Sequence, residues 1–448
     1  MHRTTTAATW SVCLAAVAVM AQGAGARGQA TTKGTDQTPI ARDFLTHMTK
    51  GEYEEAVKLC DDTMKQALPA DKLKSVWETI TSSSGEFQTL GEPTSSMSEG
   101  FQVLVFPAKL KTTTLDLRVA VSGEGKISGF YILPKESYKP PGYDHSDKYV
   151  ETQVEFGEEP WLVKGKLTMP SGKGPYPAVV LVHGSGPHDE DETIGPNKPF
   201  RDLAGGLSSN GIAVLRYQKR TFAHKLRLAV QKTITVREEV LDDAEAAVEY
   251  LRRTPGIDKN KVFVLGHSMG ATLAPQIAAE VKDVAGVILL AGTGRDFYDV
   301  LLDQLTYIAS APGAGQEKNR KEKEDVEKAV ARVRAGEPTD QIMILGVSAT
   351  YWNELNDYGK RSLDIIKNLK CRILIAGGER DYQITKKDFD LYRSALKDRT
   401  NVTFKWYDNL NHLFAPGKEK AVPQEYMKPN HVDEKVIQDL TKWIKESP

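Results

Sequence analysis

The stretch Lys261–Gly270, KVFVLGHSMG, decides the fold. Val262 to Leu265 is four apolar residues without a polar break, the pattern of a central parallel strand buried on both faces. It runs straight into Gly266, His267, Ser268, Met269 and Gly270. Beyond lie Ala271, Thr272, Leu273, Ile277, Ala278 and Ala279, a small-residue set suited to a helix that covers the strand. Strand, sharp turn and helix around G-x-S-x-G form a nucleophile elbow, in which the serine oxygen projects from the top of a sheet. A side chain at Gly266 or Gly270 would crowd that corner, so small residues there follow from sterics.

Working outward, the alternation of strand and helix continues on both sides. Val150–Phe156 and Leu162–Met169 alternate like antiparallel edge strands, and Ala178–Val182 is a second buried run that ends on His183, Gly184, Ser185, Gly186 and Pro187. A helix over Phe200–Ser209, a strand over Ile212–Arg216 and a helix over Val236–Arg252 lead to the elbow. Downstream, Cys371–Ala376 ends on Gly377-Gly378-Glu379-Arg380-Asp381, Val402–Tyr407 ends shortly before NLNHLF, and Val432–Ile444 is a final helix. The prediction is an α/β protein with a doubly wound, mostly parallel sheet, whose ligands bind at the carboxyl ends of the strands. Four loops at four such ends, HGSGP, GHSMG, GGERD and NLNHLF, therefore delimit the candidate site.

A serine hydroxyl is a poor nucleophile without a base. His412 fits that role: it follows a strand by a short loop and precedes the last helix. His267 is excluded because neighbours on the elbow point apart, His183 and His188 belong to the first of the four loops, His224 has no strand before it, and His431 opens the last helix. In the order serine, acid, histidine the orienting carboxylate lies between, at Asp381, with Glu379 as runner-up and Asp408 as a turn residue. Charge developing on a substrate carbonyl oxygen needs fixed donors. Met269 N–H is one and Ser185 N–H the other, with Gly184 giving backbone access. The acids Asp189 to Glu192 read as a solvated loop, and no metal or cofactor is called for.

The run HGSGPHDEDETIGPNKPFRDLAGGLSSNGIAVLRYQKR, with GHSMG, GGERD and NLNHLF downstream, resembles the α/β-hydrolase superfamily, nearest to secreted two-domain serine esterases of the EstD type. The resemblance covers nearly all of Tyr149–Pro448 and implies hydrolysis of carboxylic esters with short acyl chains favoured. One departure is Gln218, where the family usually has aspartate before Lys-Arg, which removes a local ion pair. Between residues 293 and 368 the strand rhythm is broken by Phe297–Ala309, a charged helix near Gln316–Ala335 with Val326, Val330 and Val333 as its one buried stripe, and Gln341–Asn356. This insertion reads as a helical cap. Leu301, Leu302, Leu305, Ile308, Met343, Leu345 and Trp352 are its candidates for an acyl pocket, packing between cap and core being the plainer role.

The chain's 448 residues suit two domains. Its 59 Lys and Arg against 60 Asp and Glu create no field for nucleic acid. His2 and Arg3 precede an uncharged, alanine-rich run over Ala7–Ala21, the pattern of a signal peptide over residues 1–30, with cleavage after Ala21, Ala26 or Ala30. The expectation is an exported protein, secreted or periplasmic, with no membrane anchor after cleavage. Cys13 lies inside the apolar run, which disfavours a lipoprotein. Cys60 and Cys371 then remain as free thiols. Residues 31–38 read as a tether. Helices at Phe44–Cys60 and Pro69–Ile80, followed by strands at Phe87–Leu90, Phe101–Phe106, Thr112–Val121 and Ile127–Leu133, predict a small α+β domain over residues 39–138. It resembles the NTF2-like domain of unknown function that precedes the hydrolase in such esterases. Its histidine, His47, reads as structural. Lys139-Pro140-Pro141-Gly142-Tyr143 marks the boundary to a hydrolase domain over residues 149–448.

The function these residues predict is ester hydrolysis of a small-molecule substrate through Ser268, His412 and Asp381. A peptidase or acyl-aminopeptidase with the same triad is the alternative, since the triad does not reveal the leaving group. A binding protein with a relict site is the third class. Haloalkane or epoxide chemistry would require a carboxylate where Ser268 stands.

Overall fold

The computed structural model describes residues 19–20, 36–98, 100–134, 138–229, 234–311 and 316–446. The signal-peptide reading falls outside them except at Val19–Met20, which pair with Phe130 and Gly129. Two compact units divide between Ser137 and Tyr138.

In the N-terminal unit, helices Thr38–Lys50, Tyr53–Lys58, Asp62–Ala67 and Ala70–Ser84 pack on an antiparallel sheet of Phe87–Leu90, Thr94–Ser98, Phe101–Leu110, Thr114–Val121 and Ile127–Pro134. The first helix starts inside the stretch read as a tether, because Pro39 suits the first helical turn, where no intrahelical N–H is required. Phe44, Leu45 and Met48 meet Leu104, Phe106, Leu117 and Val119 in one core, with the Phe44 and Phe130 rings edge to face at 5.1 Å. Cys60 is buried there, and burial pushes its thiol up to about 12. His47 is bonded to Glu52 at 2.6 Å. The strand Thr94–Ser98 is new relative to the sequence pattern: TSSMS has no apolar alternation, and its pairing with Phe101–Leu110 defines it.

The second unit is built on an eight-stranded sheet: β1 (Tyr149–Phe156), β2 (Val163–Pro170), β3 (Tyr176–Val182), β4 (Ala213–Tyr217), β5 (Ile257–His267), β6 (Gly286–Leu290), β7 (Arg372–Gly378) and β8 (Val402–Tyr407). Their order across the sheet is β8-β7-β6-β5-β3-β4-β2-β1. β1 and β2 are antiparallel to their neighbours and the other pairings are parallel. Val262 and Val264 of β5 face a core shared with Ala244, Val248, Leu273 and Ile277, whereas Phe263 and Leu265 face Phe200, Leu203, Leu207, Ile437 and Trp443. That division explains the unbroken apolar run, since both faces are covered by helices: α1 (Pro199–Ser209) and α8 (Glu434–Lys445) on one side, α2 (Asp242–Arg253) and α3 (Met269–Val281) on the other. Each such side chain contributes about 1.5–3 kcal/mol by leaving water. Tyr138 and Tyr143, flanking the Pro-Pro stretch, belong to this unit and bond to Asp202 and the Val432 carbonyl.

The insertion comprises α4 (Phe297–Ser310), α5 (Gln316–Arg334), a two-stranded ribbon of Met343–Ile344 and Val347–Ser348, and α6 (Ala349–Asn368); α7 (Lys386–Ala395) follows β7. Leu301, Leu305, Val326, Val330 and Trp352 join the main core. Ile308 sits in a separate small cluster with Tyr382, Leu413, Ala421 and Tyr426. Met343 is exposed. Among the described residues no helix is long and apolar enough to cross a membrane.

Candidate active site

The elbow between β5 and α3 is built as tightly as its glycines imply. A Cβ on Gly266 would stand 2.1 Å from the Gly270 carbonyl oxygen, and one on Gly270 would stand 2.2 Å from that of Val182. Ser268 occupies the corner with φ 54° and ψ −116°, a conformation that non-glycine residues adopt only where the surroundings impose it. Its N–H is held by the Leu290 carbonyl of β6 at 2.9 Å. The side chain is half-buried between two fully covered neighbours, His267 and Met269.

His412 arrives from the loop after β8 and Asp381 from the turn after β7, and both are buried. His412 Nδ1 and Asp381 Oδ2 are 2.7 Å apart. The other carboxylate oxygen, Asp381 Oδ1, accepts the N–H groups of Gln383 at 2.7 Å and Ile384 at 3.1 Å, so the acid is anchored by main chain on one side and holds the imidazole with the other. Glu379, the competing acid, is exposed and accepts the Trp406 indole N–H at 3.1 Å, away from the histidine. Among the described residues no hydrogen bond joins the Ser268 hydroxyl to the His412 ring. Such contacts commonly tighten only when substrate is bound.

The loop after β3 differs in part from its reading. Ser185 is exposed at the strand end, and its N–H and that of Met269 have no partner among the described residues, leaving both available to a substrate oxygen. Gly184 is not such a donor: its N–H is taken by Glu192 Oε1 at 2.7 Å. What Gly184 supplies is proximity, because a Cβ there would meet the Ser268 Cβ at 3.2 Å. Lys219 holds this loop from below. It is 2 % exposed, donates to the Gly184 carbonyl at 2.9 Å, and pairs with Glu239 Oε1 at 2.6 Å. Glu239 stands on a widened π turn, Arg237–Leu241, ahead of α2, and also accepts the Tyr351 hydroxyl. His183 is buried beneath, with Nε2 3.0 Å from the Asp189 carbonyl, and burial pushes its pKa down to about 3.

The expected solvated character of Asp189–Glu192 is overturned at Asp191 and Glu192, whereas Asp189 and Glu190 are half-buried. Asp191 is 6 % exposed and Glu192 0 %. Asp191 pairs with Arg216 at 2.8 Å and Lys198 at 3.2 Å. Glu190 pairs with Lys166 at 3.1 Å and accepts a hydrogen bond from Gln218 at 3.3 Å. Glu192 reaches His267, the elbow histidine that sequence reasoning excluded as a base and left without a role. Nδ1 and Oε2 are 2.9 Å apart but out of line for a hydrogen bond. The clue available in the sequence was the polar His267 closing an otherwise apolar strand. Three other histidines are engaged elsewhere: His188 meets the Ser185 carbonyl, His224 the Leu162 carbonyl, and His431 Asp202.

A family model described as a protein of unknown function, DUF3887, matches residues 41–130, and one described as serine aminopeptidase, S33, matches residues 174–417. Over 403 residues the chain is 37% identical to esterase EstD of Thermotoga maritima, which covers 90% of this chain and 93% of that one. Among solved structures, an esterase of Pyrococcus furiosus shares 17% identity with a TM-score of 0.41 over 70% of this chain and 97% of its own. An acylaminoacyl peptidase of Pyrococcus horikoshii shares 14% with a TM-score of 0.45 over 81% and 56%.

Proposed function

The chain belongs to the α/β-hydrolase family of serine hydrolases and esterases that includes esterase EstD, and from that premise we propose that it is an exported carboxylesterase acting through an acyl-enzyme on short-chain acyl esters. Ser268 Oγ attacks the ester carbonyl while His412 Nε2 takes its proton. Asp381 Oδ2 accepts Nδ1–H, fixes that tautomer and stabilises the imidazolium that forms. The oxyanion is received by Ser185 N–H and Met269 N–H. His412 then protonates the leaving alkoxide, and water attacks the acyl-serine by the reverse sequence. The observation that carries this reading is the buried 2.7 Å pair of His412 and Asp381 at the strand-end rim where Ser268 stands in its strained corner.

The preference for short acyl chains is what the likeness to esterase EstD implies, and three of the seven acyl-pocket candidates, Leu301, Leu305 and Trp352, are packed into the core. The family description favours one other reading, a peptidase with the same triad. The test is a p-nitrophenyl acyl series against aminoacyl anilides, run with the wild type and Ser268→Ala. Ester turnover that shortens with chain length and vanishes in Ser268→Ala is expected. Faster anilide turnover makes the protein a peptidase, and undiminished turnover by Ser268→Ala removes the triad.

A further inference from the structure

Glu192 combines three costly features. It is a carboxylate without exposed surface, its backbone is left-handed at φ 51°, and it lies in the loop between β3 and α1 where a turn could have been solvated. Its oxygens have separate tasks: Oε1 accepts Gly184 N–H at 2.7 Å and Oε2 faces His267 Nδ1 at 2.9 Å. His267 in turn places Nε2 2.9 Å from the His412 carbonyl oxygen. The His412 carbonyl accepts at one ring nitrogen and a carboxylate oxygen lies 2.9 Å from the other without the alignment of a hydrogen bond, so negative charge faces the ring at both nitrogens, which suits the protonated imidazolium. The electrostatics agree in direction. Burial alone would lower the His267 pKa, but the charge and contact of Glu192 outweigh it and raise it. Burial alone would raise Glu192, and His267 foremost holds it at about 2.

We propose that Glu192 and His267 form a buried ion pair that positions the catalytic apparatus, tying the loop that presents Ser185 to the serine elbow and the elbow to the main chain of His412. The proposal rests on the reading of Ser268 and His412 as nucleophile and base. His267 is the chain neighbour of Ser268, so its bond to the His412 carbonyl governs the Ser268-to-His412 spacing, which no direct hydrogen bond fixes. Glu192 also takes Gly184 N–H out of the set of donors open to an oxyanion. Both are positioning residues. The ionisable groups facing the pair are His183 and His188 from the loop after β3, Lys219 after β4, Asp381 after β7 and His412 after β8. Lys219 is engaged by Glu239 and the Gly184 carbonyl, His183 by the Asp189 carbonyl, and Asp381 by His412, which leaves Glu192 as the counter-ion of His267.

Glu192→Gln tests the charge while keeping the shape and the acceptor for Gly184 N–H. With p-nitrophenyl acetate, kcat is expected to fall roughly tenfold to a hundredfold, the scale of a sub-ångström to ångström misplacement of reacting groups, with KM within about twofold. Fluorophosphonate labelling of Ser268 should slow by the same factor. Independently of any variant, NMR of ring-labelled histidine in the full-length wild type, with His267 assigned by comparison with His267→Gln, should show a charged His267 at neutral pH. In Glu192→Gln its ring should be neutral. A neutral His267 in the wild type overturns the proposal, as does an unchanged kcat in a folded Glu192→Gln. If that variant does not fold, the wild-type measurement still decides. If Ser268→Ala retains full turnover the esterase reading itself fails, whereas an inactive Ser268→Ala beside a fully active Glu192→Gln sinks the ion pair alone.

Discussion

Replacing Asp381 by asparagine changes one atom of the side chain, and the structure dictates where that atom goes. Oδ1 accepts two main-chain N–H groups, from Gln383 and Ile384. An amide nitrogen there would set donor against donor twice, so the asparagine must keep its oxygen at that end and present NH2 to His412 Nδ1, 2.7 Å away. Nδ1 then becomes an acceptor and the ring proton moves to Nε2. The nitrogen that should take the Ser268 proton is already protonated. In the well-studied serine protease triad the wrong tautomer costs about 10⁴ in kcat, which corresponds to about 5.4 kcal/mol of transition-state free energy. Asp381→Asn is therefore expected to lose roughly that factor in kcat on p-nitrophenyl acetate, with KM little changed and melting temperature close to wild type. A kcat within tenfold of wild type would refute the reasoning, because it would mean that the orientation of Asp381 does not set the tautomer of the working histidine.

Three further outcomes are expected. Lys219→Met leaves Glu239 buried without its cation, a loss of about 3–5 kcal/mol in urea unfolding, and it also frees the Gly184 carbonyl; unchanged stability would show that the pair is not desolvated as described. Gly270→Ala drives a Cβ to 2.2 Å from the Val182 carbonyl oxygen, a main-chain clash that no rotamer relieves, so insoluble protein or a loss of about 3 kcal/mol or more is expected, and a soluble variant with wild-type melting would contradict it. The pH dependence of stability isolates the ion pair. The folded pKa of Glu192, about 2, lies below its ordinary 4.5, so its contribution is present above 4.5 and is lost as pH falls towards 2. His267 is raised above 6.5, so its contribution is complete below 6.5 and is lost as pH rises through the raised value. The melting-temperature difference between wild type and Glu192→Gln should then be greatest between pH 4.5 and 6.5 and shrink on both sides; a difference that is flat with pH would argue against a charged pair.

The parts of the fold legible in the sequence are those governed by short-range rules. A run such as Val262–Leu265 has to be covered on both faces, and the glycines around Ser268 leave the chain one way to turn. The loops after β7 and β8 were legible for a related reason: each begins where an apolar run stops, so Asp381 and His412 are delivered to the same rim by the parallel order of the sheet. The polar stretch Thr94–Ser98 was not legible, because only its partner strand makes it a strand. The four acids from Asp189 to Glu192 failed as a reading for a deeper reason. A carboxylate is solvated unless a partner is brought to it, and three of these acids meet partners from far along the chain: Arg216 beside Asp191, His267 beside Glu192, and Lys166 beside Glu190. Local composition cannot reveal partners of that kind. His267 presents the converse case. Its Nε2 is taken by the His412 carbonyl, and a polar ring at the end of a buried strand still has to find two partners. Asking which acid could reach it, in a fold whose strand ends already converge, would have singled out the loop after β3. A buried polar group left over when the catalytic roles are assigned is therefore evidence for a supporting contact, and its partner is to be sought in the neighbouring strand-end loop before it is sought in solvent.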